Sequence, residues 1–178
     1  MTRLIIIYGV IGGLIVAAGM ALGMTLVPHG GTLGMVVGYL TMLVAMSMVF
    51  VGVRQYRTQC GGGVIRFWPA FGMGLAIAFI ASLFYVAMWE AYLWQTDYSF
   101  MADYVRQSTD AMRTQGKSAA EIAAFTAEMR LFAADYTNQP LFRMAVTLSE
   151  IAPVGILVAF VSAALLRNSR LFPATEAR

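Results

Sequence analysis

The stretch Val51–Glu90, VGVRQYRTQCGGGVIRFWPAFGMGLAIAFIASLFYVAMWE, decides the fold. A short basic segment carrying Arg54, Arg57 and Arg66 leads into an apolar run from Phe67 to Trp89 with no charged residue. Such a run is long enough to cross a hydrocarbon core of roughly 30 Å at about 1.5 Å rise per residue. Basic residues at one end of a span mark its cytoplasmic side, so this pairing orients everything else.

The composition extends the same reading outward. Sixty per cent of the 178 residues are hydrophobic and 12% charged, against roughly 25% charged in a soluble domain. Four membrane spans are predicted, at residues 4–27, 32–53, 67–89 and 141–166, and only the last contains charges, Arg143 and Glu150. The fold class is therefore an all-α membrane protein. It is a four-transmembrane-helix bundle, one membrane domain over 1–178, with an extracytoplasmic helical hairpin at 95–140 between spans three and four. Residues 1–27 have some features of a signal peptide, but the apolar run is too long for one and reads as an uncleaved first span.

Charge distribution sets the topology. Arg3, Arg54, Arg57, Arg66, Arg167, Arg170 and Arg178 all fall on one side of a four-span chain, with only Glu176 among them. Acids and bases nearly balance in the 95–140 segment on the other side. Both termini and the 54–66 loop are thus expected in the cytoplasm. The arginines are topology signals, too sparse for a nucleic-acid surface.

Small residues recur at four-residue spacing on every span. They are Gly9 and Gly13, Gly19 and Gly23, Gly30, Gly34 and Gly38, Gly74 and Ala78, and Gly155, Ala159 and Ala163. In lipid, helices associate by close backbone approach, which such stripes permit. A tightly packed bundle or a homo-oligomer is expected. Pro28-His29-Gly30-Gly31 reads as a tight outer turn that makes spans one and two antiparallel neighbours. The thirteen methionines, with Met20 and Met24 near His29 and with Met42 and Met46 a turn apart, suit Cu(I) chemically. They equally suit core filling, which is the preferred reading, so no metal and no cofactor are expected. Cys60, the single cysteine, excludes an internal disulfide and reads as an incidental loop residue.

Residues 51–71 and 80–90 resemble the family of small four-span bacterial inner-membrane proteins filed as domain of unknown function 4199, a similarity that covers roughly residues 35–95 and 140–170. The resemblance lies in Arg54-Gln55-Tyr56-Arg57, in Gly63-Val64-Ile65-Arg66-Phe67 and in Tyr85, and again in Pro153-Val154-Gly155 followed by Arg167. It implies the topology and a bacterial inner membrane, and no activity to inherit.

Between Gly74 and Gly116 there is neither glycine nor proline, so span three is expected to continue as helix to about Gln115. Tyr98, Met101, Val105 and Met112 share one face of it. Ser118-Ala119-Ala120-Glu121 then reads as a capping box that opens an amphipathic helix with Ile122, Phe125, Met129, Phe132 and Tyr136 on one stripe. The two stripes pack on each other as a hairpin, clasp a partner subunit, or lie on the membrane surface.

No catalytic triad, CxxC, HExxH, phosphate loop or dinucleotide fingerprint is present, so the chain is not expected to be an enzyme. The candidate functional residues are the intramembrane polar ones, Glu150, Glu90 and Arg143, because charge in lipid is costly and marks function. Arg66 to Glu90 and Arg143 to Arg167 are both 24 residues, so antiparallel helices bring Glu90 and Arg143 to one level as an ion pair. Glu150, without a cation, is expected to face the bundle interior as a neutral donor to Ser82, Tyr85 or a carbonyl freed by Pro153. Two functions follow. One is an oligomerising interaction or scaffold/regulatory protein whose partners are membrane lipids, a second copy or another membrane protein. The other is a proton or small-cation transporter or channel using Glu150 and Glu90, for which the break at Pro153-Val154-Gly155 would count. The topology is checked by placing a cysteine at Ser118. A membrane-impermeant thiol reagent should reach it only from outside, and labelling only from the cytoplasm would overturn the four-span assignment.

Overall fold

The computed structural model of the chain describes residues 1–26 and 32–172. Among them are six helices and no strand: α1 Thr2–Leu26, α2 Thr32–Cys60, α3 Phe67–Gln95, α4 Phe100–Thr114, α5 Ala119–Asn138 and α6 Pro140–Leu166. By length and composition α1, α2, α3 and α6 can each cross a membrane. The fold is a helical membrane bundle. The turn around Pro28 and His29, and with it the Met–His grouping, lies outside the described residues.

The chain divides into two compact units, residues 1–88 with the chain from Leu148 on, and Trp89–Thr147. The first is built on a core of Val16 from α1, Met46, Val49 and Val53 from α2, Met73 and Ile77 from α3, and Ile151, Ala159 and Leu166 from α6. Met46 and Met73 are fully buried here, which is the packing role expected of the methionines. Leu14, Leu40, Phe79 and Leu157 are exposed. Apolar side chains around every span suit contact with lipid tails rather than water. Trp68 and Trp94, 75% and 74% exposed, stand near the two ends of α3. That is about 39 Å apart at 1.5 Å per residue, the separation of the two interfacial belts where tryptophan concentrates.

Helices touch at part of the small-residue pattern, at Gly9, Gly13, Gly19, Gly74 and Gly155, whereas Gly23 and Gly38 have nothing within 4 Å of an added Cβ. A Cβ on Gly74 would lie 3.0 Å from the Ala159 Cβ and 3.2 Å from its Cα, and one on Gly155 would lie 3.0 Å from the Ala78 Cβ. Four residues forward on α3 is four residues back on α6, the mark of two antiparallel helices in register. Glycine at these positions lets the backbones approach more closely than any side chain allows.

Three boundaries differ from the sequence reading. Helix α2 runs through Arg54 and Arg57 to Cys60, so the connection is only residues 61–66, turned by Gly62 and Gly63 at φ 58° and 83°. Helix α3 stops at Gln95 instead of reaching Gln115. Asp97 takes φ 49°, Tyr98 N–H donates to the Leu93 carbonyl at 2.8 Å and Asp97 N–H to the Trp94 carbonyl at 3.3 Å. This is a Schellman ending with aspartate in the left-handed position usually held by glycine, sealed by Tyr98 and Leu93 in one apolar cluster. Helix α6, by contrast, runs unbroken through Pro153.

In the second unit α4 ends at Gly116, φ 74°, by the same motif, with Lys117 N–H on the Met112 carbonyl. The capping box forms as expected: Glu121 N–H donates to Ser118 Oγ at 3.2 Å and Ser118 N–H to Glu121 Oε2 at 2.9 Å. These Ser118 donors, with Lys117, hold the Glu121 carboxyl below the usual carboxylate range. Leu93, Met101 and Tyr136 form the buried centre of this unit, so the stripes of α4 and α5 turn inward as a hairpin.

The α3–α6 seam yields a paired test. Gly74→Leu overpacks a backbone contact and should destabilise the protein by about 1–3 kcal/mol. Gly72, with nothing within 4 Å of its added Cβ, should accept leucine with little change in thermal unfolding in detergent. Equal effects of the two substitutions would refute the seam.

Candidate functional site

Arg143 sits at the start of α6, 3% exposed, and every nitrogen of its guanidinium is engaged. Nε donates to Glu90 Oε1 at 2.8 Å and Nη2 to Glu90 Oε2 at 2.7 Å, a bidentate pair with a carboxylate 19% exposed. Nη1 donates to the Tyr136 and Thr137 carbonyls at 3.0 and 3.1 Å. Those carbonyls belong to the last turn of α5, which has no further helical N–H to bond them. The Tyr98 ring lies 4.9 Å from the guanidinium carbon, adding a cation–π contact. Trp89 Nε1 donates to the Tyr136 hydroxyl at 2.6 Å. Glu90 and Arg143 thus meet at the level that their equal 24-residue counts imply, and the same arginine caps α5.

Glu150 departs from its expectation. It is on the exposed side of α6 and not in the bundle interior, and it accepts from the buried Tyr85 hydroxyl at 3.1 Å through Oε2. The second expected partner, Ser82, donates instead to the Ala78 carbonyl of its own helix at 2.8 Å. The reason is geometric. The buried stripe of α6 runs Arg143, Thr147, Ile151, then Ala159 and Ala163, in steps of four. Each step of four turns about 40° past a full rotation. A seven-residue step from Arg143 therefore leaves the stripe, and Glu150 sits about 100° from Ile151.

Arg57 is the residue that sequence reading missed. Taken as a topology signal at the membrane surface, it is fully buried at 0% exposure. Its Nη1 donates to the Leu166 carbonyl at 3.1 Å, the Leu171 carbonyl at 3.1 Å and more distantly the Asn168 carbonyl at 3.5 Å. Nη2 donates to the Phe172 carbonyl. Phe172 is held further by an edge contact from Phe50 at 5.4 Å and by the Arg54 guanidinium 5.6 Å from its ring centre. A cation at the C-terminal end of α6 meets the Leu166 carbonyl and the negative dipole end of the helix, together with carbonyls of the chain just beyond it. The only hint in the sequence is the i, i+3 arginine pair at 54 and 57, which places both on neighbouring faces of one helix end.

The remaining sequence candidates are ordinary in their surroundings. Cys60 is exposed at the end of α2, and Met42 and Met46 are core. Residues 7–168 match the family described as Protein of unknown function (DUF4199). No curated protein and no solved structure matches the chain.

Removing one member of the Arg143 pair separates its two roles. Arg143→Leu leaves a partly buried carboxylate and two α5 carbonyls without partners and should cost roughly 3–5 kcal/mol. Adding Glu90→Leu removes the stranded charge and should restore part of the loss. A double variant less stable than Arg143→Leu in thermal unfolding would contradict this account.

Proposed function

Because the chain belongs to the DUF4199 family, which supplies no activity to inherit, we propose its function from its own residues. It is an interaction protein of the bacterial inner membrane, with both termini cytoplasmic, that oligomerises or steadies another membrane protein in a scaffold or regulatory role. The observation that carries this is the Glu150–Tyr85 pair on the exposed side of a membrane-spanning helix. An acidic side chain facing lipid near the middle of a span costs on the order of 2.5–3.5 kcal/mol on insertion scales. Tyr85 of α3 offsets part of that cost, and a helix of a second protein bearing a further donor would offset more of it and orient the contact.

The arginine distribution supports the orientation by the positive-inside rule. The competing reading, proton or small-cation transport through Glu150 and Glu90, has less support. Glu90 has both carboxylate oxygens engaged by Arg143, and α6 has no break at Pro153 of the kind that lines transport sites. The chain is proposed to have no enzymatic activity, since no nucleophile–base set can be assembled from its residues.

The test places a photo-crosslinking residue at Leu157, exposed and two turns from Glu150 on the same face. The expected result is a defined crosslinked species in native membranes, at twice the chain mass for a homo-oligomer, that is lost on Glu150→Ala. Proteoliposomes supply the contrary arm. Proton flux present in the wild type and absent in Glu150→Gln would mean that the interaction reading must be dropped.

A further inference from the structure

The N-terminal end of α1 and the C-terminal end of α2 line a half-open cavity of about 510 Å3 that plays no part in the function proposed above. Its polar wall is Arg3, Tyr8, Gln55 and Gln59, and its apolar wall includes Leu4 and Ile7. Gln55 and Gln59 are one helical turn apart on α2 and so share a face. The Tyr8 hydroxyl donates to Gln55 Oε1. That contact ties the amide oxygen back to α1 and leaves the Gln55 nitrogen, a pure donor, as its open end. No carboxylate lines the cavity. Arg3 brings a guanidinium with its planar fork of donors. The chemistry of the wall is therefore that of an anion receptor with a greasy side.

Its position narrows the ligand. The apolar run of α1 begins at Leu4 and that of α2 ends at Val53, so the cavity lies where hydrocarbon gives way to headgroups. An anion there that also covers Leu4 and Ile7 carries acyl chains. We propose that this cavity binds the headgroup of an anionic phospholipid, with the phosphate on Arg3 and the Gln55 amide, the polar headgroup toward Gln59, and an acyl chain along Leu4 and Ile7. Basic residues at a membrane surface attract anionic lipid in general. A concave wall that gathers one guanidinium and two side-chain amides, with no carboxylate, makes this one a site rather than a diffuse attraction.

Cys60 lines the same cavity and is exposed, and it is the only cysteine of the chain. It therefore reports occupancy without any engineering. The full chain is placed in nanodiscs of phosphatidylcholine alone or mixed with phosphatidylglycerol, and labelled with an uncharged maleimide. Phosphatidylglycerol should slow Cys60 labelling at least about threefold, the slowing that two-thirds occupancy gives by mass action. A second reporter, Thr58→Cys in a Cys60→Ser background, sits on another face of α2 outside the cavity and should not slow. Arg3→Lys with Gln59→Leu keeps the positive charge, removes the fork and one amide, and should abolish the protection. Should that variant fail to insert, the comparison of the two reporters decides alone. Equal slowing at both reporters would show surface potential only, and no slowing at Cys60 would show no site. Equal protection by inorganic phosphate in detergent would show a soluble-anion site. Each of these three results overturns the proposal.

Discussion

A helix that ends at or near a membrane leaves carbonyls that neither the next turn nor bulk water can reach, and this chain answers with buried arginines. Arg57 gathers the Leu166 carbonyl at the end of α6 and those of Leu171 and Phe172 in the chain just beyond it, and Arg143 gathers those of Tyr136 and Thr137 at the end of α5. Arginine suits the task because its charge persists and its fork reaches several acceptors at once. A neutral cap would satisfy a carbonyl or two without meeting the negative end of the helix dipole. The two sites differ in one respect. Arg143 has a carboxylate partner in Glu90, whereas the hydrogen bonds of Arg57 run to backbone carbonyls, so the charge of Arg57 is balanced by dipoles.

The second constraint is steric. Apolar surface gains little by moving from lipid to protein, so the seam of Gly74 and Ala78 against Ala159 and Gly155 relies on close contact. Dispersion falls away steeply with distance, and small residues shorten that distance. Fully buried methionines at 46 and 73 fill the irregular space that such close crossings leave, a use their unbranched, polarisable side chains permit.

These two constraints also shape the functional reading. Glu90 has both carboxylate oxygens hydrogen-bonded to Arg143 in a structural pair. Glu150 accepts from Tyr85 on the exposed side of α6, which is why the proposed interaction rests on it. The cavity at the ends of α1 and α2 is separate from both, since neither Glu90 nor Glu150 lines it.

Membrane class, the number of spans and the Glu90–Arg143 pair were legible in the sequence, because each depends on distance along one chain. Apolar run length sets a span, and equal 24-residue counts from Arg66 to Glu90 and from Arg143 to Arg167 set the level of the pair. The capping box at Ser118 and the stop at Gly116 were legible for the same reason, being local chemistry. The end of α3 at Gln95 was not, since it rests on Asp97 adopting a conformation that sequence rules reserve for glycine. The facing of Glu150 and the burial of Arg57 were beyond any local rule. The first depends on how the buried stripe drifts around α6 as it follows the neighbouring helices. The second depends on carbonyls 109 to 115 residues away, which only the packed chain brings to the guanidinium.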